Sequence, residues 1–234
     1  MPTQTAENAP IDSRFKEFIH YSELKQLAFK IEALQQEKAF RSLAVLSCLA
    51  GEGKTLFCAA LAMAYVQTRR TSVLVIDTTT HQSEGSLVLK QCLGPSLPLV
   101  EEVSLEELRK GSDGFGPLSG LTLTSEEDPA LVTEMVPQSA IHLAFLKEND
   151  LSQIKKKSAD RSNPYGLVLL DTAPLNAKNK NNVDPVLVAN LSDASVLLAS
   201  QKFLNAPNAD SYLKVLEDPA LHLLGIISNE VFSS

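Results

Sequence analysis

The residues with the clearest chemical potential are Gly51, Gly53, Lys54 and Thr55, in the run GEGKT between SLAVLSCLA and an Ala- and Leu-rich stretch. A strand ending at Ser47, a loop, and a helix opening at Lys54 would turn several backbone N–H groups into one concavity. Such a nest at a helix amino terminus suits phosphate oxygens. Gly51 and Gly53 would let the backbone approach closely, Lys54 would reach the β- and γ-phosphates, and Thr55 would set its hydroxyl on Mg2+. The usual spacing, G-x-x-x-x-G-K-[ST], puts glycine at position 48, where this chain has Cys48. Two carboxylates fit the same chemistry. Asp77 ends VLVID and Asp171 ends LVLLD, each after four apolar strand residues. An Asp at the carboxyl end of a buried strand is placed to hold a hard cation or its water. Lys54, Asp77 and Asp171 are therefore the candidate catalytic set, and Thr55, Asp77 and Asp171 the candidate metal set. For either Asp alone, a helix cap or turn residue is the simpler alternative.

These side chains need a sheet edge to converge on, and the hydrophobic pattern supplies one. SLAVLS (42–47), SVLVID (Ser72–Asp77), GLVLLD (Gly166–Asp171), ASVLLA (Ala194–Ala199) and LLGIIS (Leu223–Ser228) are short continuous apolar runs. Helical segments fall between them, over Lys54 to about Thr68, residues 84–92, and near 182–191 and 207–217. Buried strands alternating with helices predict a doubly wound, mainly parallel α/β sheet with both faces covered. Before the first strand, Leu24, Leu27, Ala28, Ile31 and Leu34 recur at helical spacing, one apolar stripe for the domain or for another subunit. Ser104 and Glu107 form a capping box for a helix closed by Gly111, Leu121–Thr124 reads as a strand, and 138–158 as helical. Residues 1–13 read as a loose arm, and 14–234 as one nucleotide-binding domain.

Composition removes several classes. With 21 basic and 28 acidic residues the chain carries −7, which argues against a nucleic-acid partner held by broad charge neutralisation. Cys48, Cys58 and Cys92 have no metal-ligand spacing, which suits a reducing compartment. His20, His81, His142 and His222 are likewise scattered. In the loop, a helix dipole could lower the Cys48 thiol pKa, although a small buried filler is the simpler reading. The longest apolar run, Leu56–Val66, is too short to span a membrane, and the first residues lack the apolar core of a signal peptide. A cytoplasmic protein without direct membrane insertion is expected.

AGEGKT (50–55), VLVID (73–77) and YGLVLLDTAP (165–174) stand where the Walker A, A′ and B motifs stand in one family. Across Ser22–Asn229 the chain resembles the cytoplasmic domain of bacterial tyrosine kinases from capsule and exopolysaccharide export, relatives of the Min/Par-type P-loop ATPases. Asp184, Asp193-Ala-Ser-Val-Leu-Leu and LLGIISN (223–229) match its later pattern. The resemblance implies a P-loop NTPase fold that binds ATP or ADP with Mg2+. It implies Ala50, Gly51, Glu52, Gly53, Lys54, Thr55 and Leu56 around the phosphates and Asn229 near the adenine. It also implies a membrane polysaccharide co-polymerase or a kinase as partner, recruitment to the inner face of the membrane, and self-association. The sequence departs from the family at Asp77-Thr78-Thr79-Thr80-His81, where a second carboxylate and an arginine usually stand. Walker B reads Asp171-Thr172-Ala173-Pro174, and Gln26 and Phe29 replace arginines of the family's oligomerisation motif beside Glu23. The tail SNEVFSS holds no tyrosine, the four being Tyr21, Tyr65, Tyr165 and Tyr212. Leu49 occupies the place of the signature Min/Par lysine, which with the acidic balance disfavours a chromosome-positioning ATPase. Two functions compete: an ATPase or protein tyrosine kinase for polysaccharide assembly, and a catalytically impaired regulatory module that docks on a co-polymerase or an active kinase.

Overall fold

The computed structural model describes residues 15, 22–69, 71–78, 84–93, 141–145, 165–177, 182–200, 203 and 209–229. The amino-terminal arm, the Ser104–Gly111 helix, the Leu121–Thr124 strand, His20, His81 and the tail after Asn229 lie outside them.

Among the described residues six strands form one parallel sheet: β1 (Ser42–Ser47), β2 (Ser72–Asp77), β3 (Ile141–Phe145), β4 (Tyr165–Asp171), β5 (Ala194–Ala199) and β6 (Leu223–Ser228). Their order is β3-β2-β4-β1-β5-β6, so β1 and β4 lie side by side at the centre. The strands are Val-, Leu- and Ile-rich because both faces are covered. Leu43, Val45, Val73, Val75, Leu167, Leu169, Val196 and Leu198 pack on one side. Ala44, Leu46, Leu74, Ile76, Val168, Leu170 and Leu197 pack on the other. The two-residue period of a strand makes this division. The first face meets α1 (Ser22–Lys38), α2 (Lys54–Arg69) and α3 (Glu84–Leu93). The second meets Val188 and Ala189 of α4 (Pro185–Leu191), Leu216 of α5 (Ala209–Leu216) and Leu221 of a 3-10 turn, Pro219–Leu221. This is the doubly wound α/β fold expected of P-loop proteins.

The stripe on α1 turns inward: Leu24, Ala28 and Ile31 are buried, and Leu27 and Leu34 pack against the same cluster. Of the two readings of that stripe, the intramolecular one holds. Asp184 caps α4, its carboxylate accepting the Val186 N–H at 2.9 Å ahead of Pro185. Asp193, before β5, accepts the N–H groups of Arg41 and Ser42, each at 2.9 Å, and so ties the start of β1 to the start of β5.

Two expectations need correction. Ile141–Phe145, read as part of a helix over 138–158, is instead edge strand β3, paired with β2 from Val73↔Ile141 to Asp77↔Phe145. The run IHLAF buries Ile141 and Leu143, two residues apart, which is strand spacing. Residues 146–158 lie outside the described residues. Strand β6 is less covered than its apolar sequence suggests, with Ile226 59% exposed, because it is the last strand of the sheet.

Candidate phosphate-binding site

Parallel strands end at the same edge, and β1, β4 and β2 end there as neighbours. Register aligns Val45 with Asp171, and Asp171 with Asp77, so both carboxylates stand beside the loop that leaves β1. Asp77 and Asp171 are buried, at 1% and 4% exposure. Thr78 fixes the β2–β4 join, its N–H and its hydroxyl both donating to the Asp171 carbonyl, at 3.0 and 2.9 Å. Thr172 donates its hydroxyl to the Val45 carbonyl at 2.7 Å and joins β4 to β1 in the same way.

The loop from Cys48 to Gly53 turns on two glycines with positive φ, Gly51 at 81° and Gly53 at 84°. A side chain would strain either position, and a Cβ on Gly51 would meet open space, so the strain is in the backbone and not in crowding. Helix α2 begins at Lys54, so the N–H groups of Lys54, Thr55 and Leu56 head the helix without a carbonyl one turn earlier within it. The loop is braced from inside. Lys54 donates Nζ to the Ser47 hydroxyl at 2.7 Å, and that hydroxyl donates to the Leu49 carbonyl at 2.9 Å. The N–H groups of Leu175 and Asn176 donate to the carbonyls of Ser47 and Cys48.

Charge in this corner is tightly held. Lys54 is buried; burial lowers its pKa and the Asp171 carboxylate pulls it back up. Burial pushes the Asp171 carboxyl up to about 6, against the pull of Lys54 and a hydrogen bond with Thr55, and with a push from Asp77. Oδ1 of Asp171 is buried without a hydrogen-bond partner. That orphaned acceptor, beside Asp77 and Thr55, is the donor chemistry a hard cation takes. No three-residue His, Cys, Asp or Glu cage exists among the described residues, so a cation here would share its coordination with phosphate and water. The residues present fit Mg2+ carried with a nucleotide.

Lys54, Thr55, Asp77 and Asp171 are thus brought together with Ala50, Gly51, Glu52, Gly53 and Leu56. Asn229, at the end of β6, also reaches the loop: its Nδ2 donates to the Glu52 carbonyl at 2.8 Å. Sequence reasoning missed Ser47 and Ser200. Ser47 had a faint signal, a hydroxyl closing an apolar strand next to the loop. Ser200 had none, since its partner Glu52 is 148 residues away. Cys48 is fully buried in the core, and its thiol is pushed up to about 12 by burial first and by Glu52, against Lys54, the surroundings of a packed thiol.

No protein-family model matches the chain, and no curated protein matches it. Solved structures do. The kinase domain of the Escherichia coli tyrosine kinase ETK aligns with a TM-score of 0.58 over 97% of this chain and 82% of its own, at 16% identity. The BceF tyrosine kinase domain aligns with a TM-score of 0.52 over 89% of this chain and 76% of its own, at 15% identity. The chain has the fold of these tyrosine kinase domains. At these identities the likeness concerns architecture, and the reading of activity falls on the residues at the strand ends. No helix among the described residues is long and apolar enough to cross a membrane.

Proposed function

We propose that this chain binds Mg-ATP and Mg-ADP at the GEGKT loop and acts as an ATPase or protein tyrosine kinase in capsule or exopolysaccharide assembly. One observation carries the reading. A buried lysine at the head of a helix faces the charge of Asp171, whose Oδ1 has no partner and which stands in register with the second strand-end carboxylate, Asp77. Phosphoryl transfer asks mainly for positioning and charge stabilisation, and these residues supply both.

The backbone N–H groups of the loop and of the first turn of α2 would hold the β-phosphate. The Lys54 ammonium, already fixed toward Ser47, would offset charge on the β- and γ-phosphates. Asp171 would hold the cation's water and Thr55 would ligate the cation, while Asp77 would take the proton of the attacking water or hydroxyl. Held by Thr55 and, through water, by Asp171, Mg2+ would supply positive charge against the negative charge of the phosphates. Residues 14–234 would work as one cytoplasmic nucleotide-binding domain, recruited to the inner face of the membrane by a polysaccharide co-polymerase or a kinase. Self-association and the absence of a nucleic-acid partner complete the proposal.

Calorimetry tests it. Mg-ATP and Mg-ADP should bind in the micromolar range, and Lys54→Ala should weaken that binding by about 100-fold, the loss of a buried charge-assisted contact. No heat with either nucleotide at high protein concentration would sink the reading. Turnover is the second measurement, as phosphate release or tyrosine phosphorylation of an added protein above the Lys54→Ala background. Binding without turnover would assign the chain to the regulatory role.

A further inference from the structure

Glu52 has the wrong charge to face a phosphate, yet it stands in the middle of the loop. It is 3% exposed, and both of its carboxylate oxygens are met by fixed donors. Oε2 accepts the Leu49 N–H at 2.8 Å, which cross-braces the loop on itself. Oε1 accepts both the N–H and the hydroxyl of Ser200, each at 2.9 Å, just beyond β5. The Glu52 carbonyl accepts Nδ2 of Asn229 at 2.8 Å, just beyond β6. Asn229 is itself fixed, its N–H donating to the Ala199 carbonyl at 2.8 Å. A buried carboxylate is tolerable in such a place only when fixed donors satisfy it.

We propose that Glu52 is a positioning residue that clamps the phosphate loop to the ends of β5 and β6, so that the loop is shaped for phosphate before phosphate arrives. The clamp rests on the nucleotide reading above for its purpose, but its geometry stands without it. The side chain and carbonyl of Glu52 are then committed to the protein, and only its backbone N–H is left for a ligand. The acceptor pattern is also demanding. Glutamine keeps the size of Glu52 but must aim an NH2 group at the Leu49 N–H or at the Ser200 donors, turning an attractive pair into two opposed donors. Aspartate is one methylene short of the same reach.

The test uses the full chain with Glu52→Gln, Ser200→Ala and the double variant. Mg-ADP affinity is read by calorimetry, and amide hydrogen exchange at Leu49 and Ser200 is read without nucleotide. Glu52→Gln should weaken Mg-ADP by about tenfold or more and speed exchange at both amides, as expected when hydrogen bonds to a buried charge are lost. Ser200→Ala, which removes only the hydroxyl, should cost a few-fold, and the double variant should bind no more weakly than Glu52→Gln alone. Should Glu52→Gln fail to fold, Ser200→Ala decides through its affinity and its Leu49 exchange. Wild-type affinity in the variants, with only a lowered melting temperature, would mean that Glu52 is ordinary packing and would overturn the clamp. A wild-type chain that binds no Mg-ADP would overturn the nucleotide reading instead, and the exchange rates would still judge the geometry.

Discussion

Asp171 shows how one residue's surroundings set its behaviour. It is buried at the end of a central strand, and that burial raises its pKa from 3.8 to about 6, more than Lys54 and the Thr55 hydrogen bond can offset. The folded chain therefore keeps this proton longer than the unfolded chain does. The sign follows: the group's contribution to stability is complete below pH 3.8, declines as pH rises, and is gone above about 6. Nucleotide binding should run the other way, because a cation needs the ionised carboxylate. Mg-ADP affinity is expected to rise by up to about tenfold per pH unit toward pH 6 and to level off above it. Calorimetry between about pH 5 and 8 reads this directly. A flat profile, or an unchanged one in Asp171→Asn, would remove Asp171 from the site.

At the scale of elements, α2 does two things with one sequence. Its first turn closes the phosphate loop, and its Ala- and Leu-rich body is buried from Phe57 to Val66. It must be flanked on the side away from the sheet, and α1 supplies the cover through Leu24, Ala28 and Ile31. Ile31→Ala should therefore cost about 2–5 kcal/mol, the usual loss for a large side chain removed from a closed core. A melting or denaturant curve measures it; a loss below about 0.5 kcal/mol would show that α1 is only loosely held. Gln35 of α1 adds a polar tie, its Nε2 donating to the carbonyls of Phe40 and Gly166 at 3.2 and 3.1 Å. Helix α1 is thus fastened to the strand starts, away from the loop.

Across the whole molecule the sheet is tied at both ends by a carboxylate. At the strand starts Asp193 holds the Arg41 and Ser42 N–H groups, and it receives in turn no bond on Oδ1. At the strand ends Glu52 holds Ser200 and Leu49. The two ties lie a full strand apart, roughly 17–20 Å. They should therefore be separable. Asp193→Ala is expected to lower stability by about 2–3 kcal/mol through two orphaned N–H groups, with Mg-ADP affinity unchanged when measured well below the melting transition. An affinity loss matching that of Glu52→Gln would mean that the two ends are coupled.

The parts that depend on neighbours along the chain are legible in the sequence alone. The GEGKT turn, the five strands with continuous apolar runs, the α1 stripe, and an Asp at the end of β2 and of β4 are all local patterns, set by sterics, period and turn chemistry. Among the described residues the misread element, β3, is five residues long, too short for periodicity to tell strand from helix. That β4 slots between β1 and β2, and so sets Asp171 beside both Lys54's loop and Asp77, shows only in the folded chain. The folded chain alone shows the distant partners of Glu52, at residues 200 and 229, because a hydrogen bond that closes a loop of that length leaves no mark on the residues near either end. Strand order and long-range pairing come from how the sheet's two apolar faces are covered, a property of the assembled chain that no window of sequence contains.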